Sequence, residues 1–460
     1  MTVLDRSDLV RRALRPTGRR LMTATATALA VRLVVAAGTI LLHLVLARSL
    51  PINDVGRLTF GLTLAQIAAI AGRFGLENAV LRFAGGASET GRPEDAAAYA
   101  GLALRLVLVS GAAVTVVVWI AIAVLAPDGD RAHLLVVSTA ITAWAAVFVL
   151  SAIHKAERRL VSGAVFESGG PSLVAAAIVV ALTGLFDVEL SVLLASVVVA
   201  LSFAGFAAAG AIRLGPSVLG RRAIAGVDRS RRVAFARTSA PFAVIATIQT
   251  TAVWGGVLLL GWFNDDADVA GYSVALRALS IVILYRNLVV TIASPRLAGL
   301  HQGPDPARVG TATRLLGAAL VATCLPPILL IALVPEPFLG LFGDPYRAYG
   351  DVLVPLAIGQ VAATLAAAPQ AAMAMTGAES RLQRIYLVAG SVGAAASVAL
   401  TVRSGPVGTA WGQAVYWASL LGLTAGQYRR ASATDADAPL DATAETTGGA
   451  GVAGSGQRAG

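Results

Sequence analysis

The sequence predicts an all-α, polytopic membrane protein with about twelve transmembrane helices. Three observations carry this expectation. The 460-residue chain is 57% hydrophobic and only 13% charged, with a mean hydropathy of +0.75, whereas a soluble chain carries roughly a quarter charged residues. Apolar runs of about twenty residues recur from end to end, each long enough to cross a hydrocarbon core of about 30 Å. The runs are continuous rather than alternating. Of the two structures that satisfy a backbone in lipid, helix and closed barrel, they indicate helices.

The expected spans are roughly 27–47, 56–76, 104–126, 133–153, 168–186, 189–212, 241–262, 270–293, 313–334, 351–374, 384–402 and 406–426. The narrowest division is between the fifth and sixth, where Phe186, Asp187 and Val188 separate two runs. Charge gives an independent check. With the N-terminus inside, the inner loops hold Arg82 and Arg92; Lys155, Arg158 and Arg159; the Arg-rich stretch from Arg213 to Arg237; Arg296 and Arg308; Arg381 and Arg384; then Arg429 and Arg430. The outer loops hold Arg48, Arg131, Arg347 and Arg403 but are otherwise acidic, with Asp54, Asp128, Asp130, Asp187, Glu189, Asp265, Asp266, Asp268, Glu336, Asp344 and Asp351. A miscounted span would scramble this alternation. The expectation is a multi-pass inner (plasma) membrane protein with both termini cytoplasmic. The net charge of +10, nearly all of it Arg, is thereby read as topology and not as nucleic-acid binding.

Six Arg residues precede the first apolar run, which imitates a signal peptide. The run is longer than a signal core, so it is read as a retained span after a basic cytoplasmic segment, 1–26. The basic segment 213–240 links two six-span halves, 27–212 and 241–426; its apolar residues (Val218, Leu219, Ile224, Val233, Phe235) suit either an interfacial helix or a solvated linker. Residues 431–460 are mostly Ala, Thr, Gly, Asp and Ser with almost no bulky apolar side chain, and 427–460 is expected to be a disordered cytoplasmic tail. The halves resemble each other at an offset of 214 residues, with 8 identities in 32 positions. Asp54-Val55 matches Asp268-Val269, and Arg82-Phe83-Ala84-Gly85 matches Arg296-Leu297-Ala298-Gly299. Two halves of six spans enter the membrane the same way, with a path between them.

Catalysis finds little support. The four histidines, His43, His133, His154 and His301, show no metal spacing, and no phosphate loop ending in Gly-Lys-Ser/Thr is present. No cofactor is implied. The single cysteine, Cys324, lies in an apolar run and has no partner for an internal disulfide. The span interiors are cationic: Arg32 in the first span, Arg277 and Arg286 in the eighth. Arg at membrane depth is expensive and faces protein or a water-filled cavity, or snorkels. Arg277 lies about 10 Å deep at 1.5 Å per residue. Gln249, Asn287, Gln360 and Gln370 could assist, or serve interhelical hydrogen bonds. Pro355, Gly359 and Pro369, and Gly169-Gly170-Pro171, could kink or unwind their helices. Glu77 and Glu167 are the acids nearest span interiors, both towards the inner face. An exporter of cations wants carboxylates in its cavity; an Arg-lined cavity suits a phosphate or diphosphate.

The stretch Leu46-Ala47-Arg48-Ser49-Leu50-Pro51 through Asp54-Val55-Gly56, then Gly75-Leu76 and Arg82, resembles the opening of polysaccharide flippases of the O-antigen and exopolysaccharide type. Gly271-Tyr272-Ser273-Val274-Ala275-Leu276-Arg277 with Pro295-Arg296-Leu297 resembles their eighth span, and Leu341-Phe342-Gly343-Asp344-Pro345-Tyr346 with Ile358-Gly359-Gln360 their ninth-to-tenth region. These proteins stand with lipid II flippases and multidrug extruders in the multidrug/oligosaccharidyl-lipid/polysaccharide exporter superfamily. The likeness covers about residues 25–425. It implies two six-helix bundles around a cavity that opens alternately inward and outward. It also implies a polyprenyl-diphosphate-linked oligosaccharide as cargo, with membrane lipids and polysaccharide polymerase and assembly proteins as partners. Arg277 matches a cationic eighth-span position of lipid II flippases, and Arg32 falls near a first-span Arg there. Arg277, Arg32, Arg286, Gln249 and Gln360 are therefore the expected substrate-binding residues. Lipid II flippases usually carry fourteen spans, so the expected twelve favour the polysaccharide type. A multidrug or cation antiporter of the same fold, or a lipid II flippase, is the alternative.

Overall fold

The computed structural model describes residues 27, 31, 34–35, 37–167, 169–215, 218, 229–301, 307–376 and 378–436. The described chain is a sequence of helices: α1 (Ala37–Ser49), α2 (Ile52–Arg73), α3 (Leu76–Glu89), α4 (Pro93–Leu125), α5 (Asp128–Ser138), α6 (Ala140–Ala156), α7 (Leu160–Val165), α8 (Gly169–Gly184), α9 (Val192–Leu214), α10 (Arg229–Phe263), α11 (Asp266–Ala278), α12 (Ser280–His301), α13 (Ala307–Leu333), α14 (Pro335–Gly340), a 3-10 turn (Asp344–Tyr349), α15 (Gly350–Met375) and α16 (Glu379–Ala436). Nine stretches among the described residues are long and apolar enough to cross a membrane, and Ala37–Ser49 and Gly169–Gly184 are shorter apolar helices. The last stretch leaves helical geometry at Ser404 and Gly405, which divides it into the expected eleventh and twelfth spans. Twelve spans are thus accommodated.

Each expected span falls on a helix, with instructive differences. The narrow division after the fifth span is a turn at Asp187, whose φ is +53°. Gly169-Gly170-Pro171 opens α8; a proline in the first turn lacks only an N–H that would be unpaired there anyway. Pro355 and Pro369 do not end α15, which continues through both, because surrounding helices tolerate the lost hydrogen bond. The eighth span is instead interrupted at Leu279, between α11 and α12. The final helix runs to Ala436, past the expected start of a disordered tail at 427. Residues 1–26, the tail beyond 436, residues 216–217 and 219–228 of the linker, and Arg32 lie outside the described residues.

The halves meet along α2. At the expected outer end α2 packs against α11, and the 214-residue offset maps Ile52 onto Asp266, the first residues of these two helices. They approach so closely that a Cβ on Gly56 would lie 1.8 Å from the Asp266 carbonyl oxygen. At the opposite end, the expected inner one, α2 turns into α3 through Phe74 and Gly75, both with positive φ. There a Cβ on Gly75 would lie 2.4 Å from Ser239 O on α10. One apolar core is continuous across the seam, joining Leu42, Leu46 and Leu58 to Val269, Tyr272 and Leu276. Separate cores fill the N-terminal bundle around Ile141, Leu150 and Ile153 and the C-terminal bundle around Tyr386, Tyr416 and Leu420. Cys324 of α13 is fully enclosed.

Charge reinforces the expected outer end. Arg57 Nε lies 2.9 Å from Asp130 of α5 and 3.5 Å from Asp266 of α11, and Arg48 Nε donates to Leu341 O at 2.8 Å. At the expected inner end Arg231 of α10 approaches Asp95 of α4 at 3.7 Å.

Candidate functional site

The interruption at Leu279 places the C-terminus of α11 at membrane depth. Arg277 sits in its last turn, where unpaired carbonyls and the helix dipole favour a cation. Its Nη1 donates to Ser273 O one turn back at 3.3 Å. Its Nη2 meets His43 Nε2 of α1, and its guanidinium carbon stands 4.9 Å from the centre of the Trp254 ring of α10, a cation–π contact. The residue is 6% exposed, and its Nε is buried without a partner. No carboxylate among the described residues pairs with it.

These groups border a cavity of about 350 Å³ formed by both halves. The N-terminal half contributes Thr39, Ile40, Leu42 and His43 of α1, Leu62, Thr63 and Gln66 of α2, Trp144 of α6, Ser172 of α8, and Val199 and Phe203 of α9. The C-terminal half contributes Trp254, Arg277, and Ser280, Ile283, Leu284 and Asn287 of α12. Thr63, the repeat counterpart of Arg277, faces the same cavity, so the charge belongs to one half only. The lining contains no carboxylate. The two acids nearest the span interiors are paired elsewhere: Glu77 lies 3.4 Å from Arg73, and Glu167 pairs with Lys155. A larger crevice of about 590 Å³ at the expected inner ends, lined by Glu94, Asp95 and Glu157 among others, lies within the N-terminal half and its linker residue Val218. It does not join the bundles.

The expected site residues divide into two groups. Arg277 borders the central cavity. Arg286, Gln360 and Gln249 are not among its lining residues. Arg286 Nη1 donates to Gln360 Oε1 at 3.1 Å, and Gln249 hydrogen-bonds Tyr386, all inside the C-terminal bundle. Arg32 lies outside the described residues. His43 and Trp254 are cavity residues that spacing arguments miss. His43 shows no metal spacing in the sequence, and its contact is 234 positions away.

The fold is that of MATE transporters. The chain superposes on an inward-facing multidrug resistance MATE family transporter of the MOP superfamily with a TM-score of 0.72 at 14% identity, over 90% of this chain and 99% of that one. An outward-facing structure described in the same words gives 0.64 at 14% identity, over 90% and 96%. A Vibrio cholerae MATE transporter, VcmN, gives 0.61 at 14% identity, over 90% and 98%. No family model and no curated protein matches the chain. The contacts of Arg57 and Arg48 close the MATE-fold seam at the expected outer end.

Proposed function

We propose that this protein is a transporter of the inner (plasma) membrane, both termini cytoplasmic, that flips a polyprenyl-diphosphate-linked oligosaccharide to the outer leaflet by alternating access. The observation that carries the reading is Arg277: a buried guanidinium, unpaired with any described carboxylate, bordering an acid-free cavity between two bundles. A diphosphate supplies the missing anionic partner, and a planar guanidinium can grip it through two parallel N–H···O bonds. Only the head group has to enter the cavity; the polyprenyl chain can remain in lipid between the bundles. Serine, threonine, asparagine and glutamine side chains around Arg277 suit a hydroxyl-rich cargo. No catalytic step is needed.

A multidrug antiporter of the same fold is the second reading, favoured by the names of the structural neighbours. A cationic drug would meet Arg277 without a compensating carboxylate among the lining residues, which counts against it. The deciding experiment replaces Arg277 in the native membrane. Arg277→Ala is expected to abolish surface polysaccharide and to leave lipid-linked repeat units facing the cytoplasm, at near-normal protein level. Arg277→Lys is expected to rescue in part, since a point charge cannot reproduce the fork. Normal polysaccharide in the alanine strain rejects the cargo assignment, and a drug-sensitivity phenotype in its place supports the antiporter.

A further inference from the structure

The C-terminal bundle holds a second buried cation, which flipping does not use. Arg286 projects from α12 away from the central cavity and is 7% exposed. Its guanidinium carbon lies 5.5 Å from the centre of the Trp417 ring of α16. Gln360 of α15 accepts one of its hydrogen bonds, at 3.1 Å, whereas a guanidinium offers five donors. Among the described residues no carboxylate pairs with it.

The surroundings share the same imbalance. Trp417 Nε1, Gln370 Nε2 and the Tyr416 hydroxyl are buried without a hydrogen-bond partner. The Tyr416 and Trp417 rings are 4.8 Å apart. The Tyr386 hydroxyl donates to Gln370 Oε1 at 2.9 Å, so that amide's acceptor is already engaged. The cluster therefore holds unpartnered donors, and among the described residues no carboxylate pairs with them. A lone cation at membrane depth is costly, and each buried donor left unmade adds to that cost. A small anion removes both penalties at once.

We propose that Arg286, Trp417 and Gln360 form a binding site for a small monovalent inorganic anion of the chloride class, separate from the central cavity. Arg286 supplies the charge and Trp417 Nε1 a neutral donor. Binding turns the Gln360 amide by half a rotation, so that the bond Oε1 accepts from Arg286 is exchanged for Nε2 donating to the anion. One guanidinium among neutral donors balances a single negative charge. A phosphate or sulfate would bring a second charge into a bundle interior that offers it no second cation. The site does not depend on the identity of the cargo.

The test uses the purified full-length protein in detergent, with thermal unfolding followed in sodium chloride and in sodium gluconate at equal ionic strength. The midpoint is expected to rise with chloride and to saturate, as for any ligand that binds the folded state alone. Arg286→Met should abolish the chloride-specific rise, while Arg277→Ala should retain it. Trp417→Phe removes only the indole donor and should raise the half-saturating chloride concentration several-fold, which keeps the test open if Arg286→Met does not fold. Bromide soaked into crystals should give an anomalous peak against Arg286. The proposal is overturned if chloride and gluconate give the same midpoint in the wild type, if the rise survives Arg286→Met or an unaltered half-saturation survives Trp417→Phe, or if Arg277→Ala alone removes the rise.

Discussion

At the scale of single residues, Arg277 depends on His43. For Nε2 of His43 to accept from Arg277, its ring proton must sit on Nδ1, and Nδ1 lies 2.8 Å from Thr39 O, where it can donate. The carbonyl thus fixes the neutral tautomer that holds the guanidinium. His43→Gln retains an acceptor and is expected to keep part of the transport activity. His43→Leu leaves a buried donor unmade, at a cost of about 1–3 kcal/mol, and should lower both the unfolding midpoint and transport. A leucine variant indistinguishable from wild type would show that the pairing carries no weight. The sequence made Arg277 visible because a charge in an apolar run stands out. It could not reveal on which side of the helix Arg286 lies: Asn287, the next residue and about 100° further around, borders the cavity, and Arg286 faces the other bundle wall. His43 was invisible for a different reason, since its role exists only once α1 and α11 are packed together.

At the scale of elements, apolar run length and loop charge located the spans, because crossing lipid constrains both. Internal breaks were less legible. Pro355 and Pro369 suggested interruption and α15 is continuous, whereas the interruption at Leu279 has neither glycine nor proline beside it. Packing by neighbouring helices, absent from any local pattern, decides both cases. The contact of α2 with α11 is the most sterically exacting of those between the repeats. A Cβ at Gly56 would meet backbone at 1.8 Å, and backbone cannot rotate aside. Gly56→Val is expected to destabilise the protein by about 3 kcal/mol or more, the range of severe overpacking. Gly86→Ala, at a helical position with nothing within 4 Å of a new Cβ, should not destabilise it. Comparable unfolding midpoints for the two variants would mean that α2 and α11 are not held at this distance.

At the scale of the whole molecule, the proposed alternating-access cycle requires the seam at the expected outer end to part, and Arg57 is the charge that bridges it. Asp130 belongs to the same bundle as Arg57 and can travel with it, so Asp266 is the contact that must be lost. Burial holds the Asp266 carboxyl above the ordinary aspartate range, against the pull of Arg57. A raised carboxyl takes up its proton at a higher pH than usual, and the protonated form no longer attracts Arg57. The bridge is therefore complete at neutral pH and weakens as pH falls through the region just above ordinary carboxylate values. Spin labels on the α4–α5 turn and on the 344–349 turn should report a longer distance in Asp266→Asn than in wild type, and in wild type at mildly acidic pH than at neutral pH. An unchanged distance in the asparagine variant would assign outer closure to the helix contacts alone. Such measurements are usually preceded by stripping a protein of its thiols. Here Cys324 is the one cysteine in the sequence and is 0% exposed. The native chain is consequently silent toward maleimides and methanethiosulfonates while folded, and any cysteine pair introduced at its surface reports against a dark background that the fold itself provides.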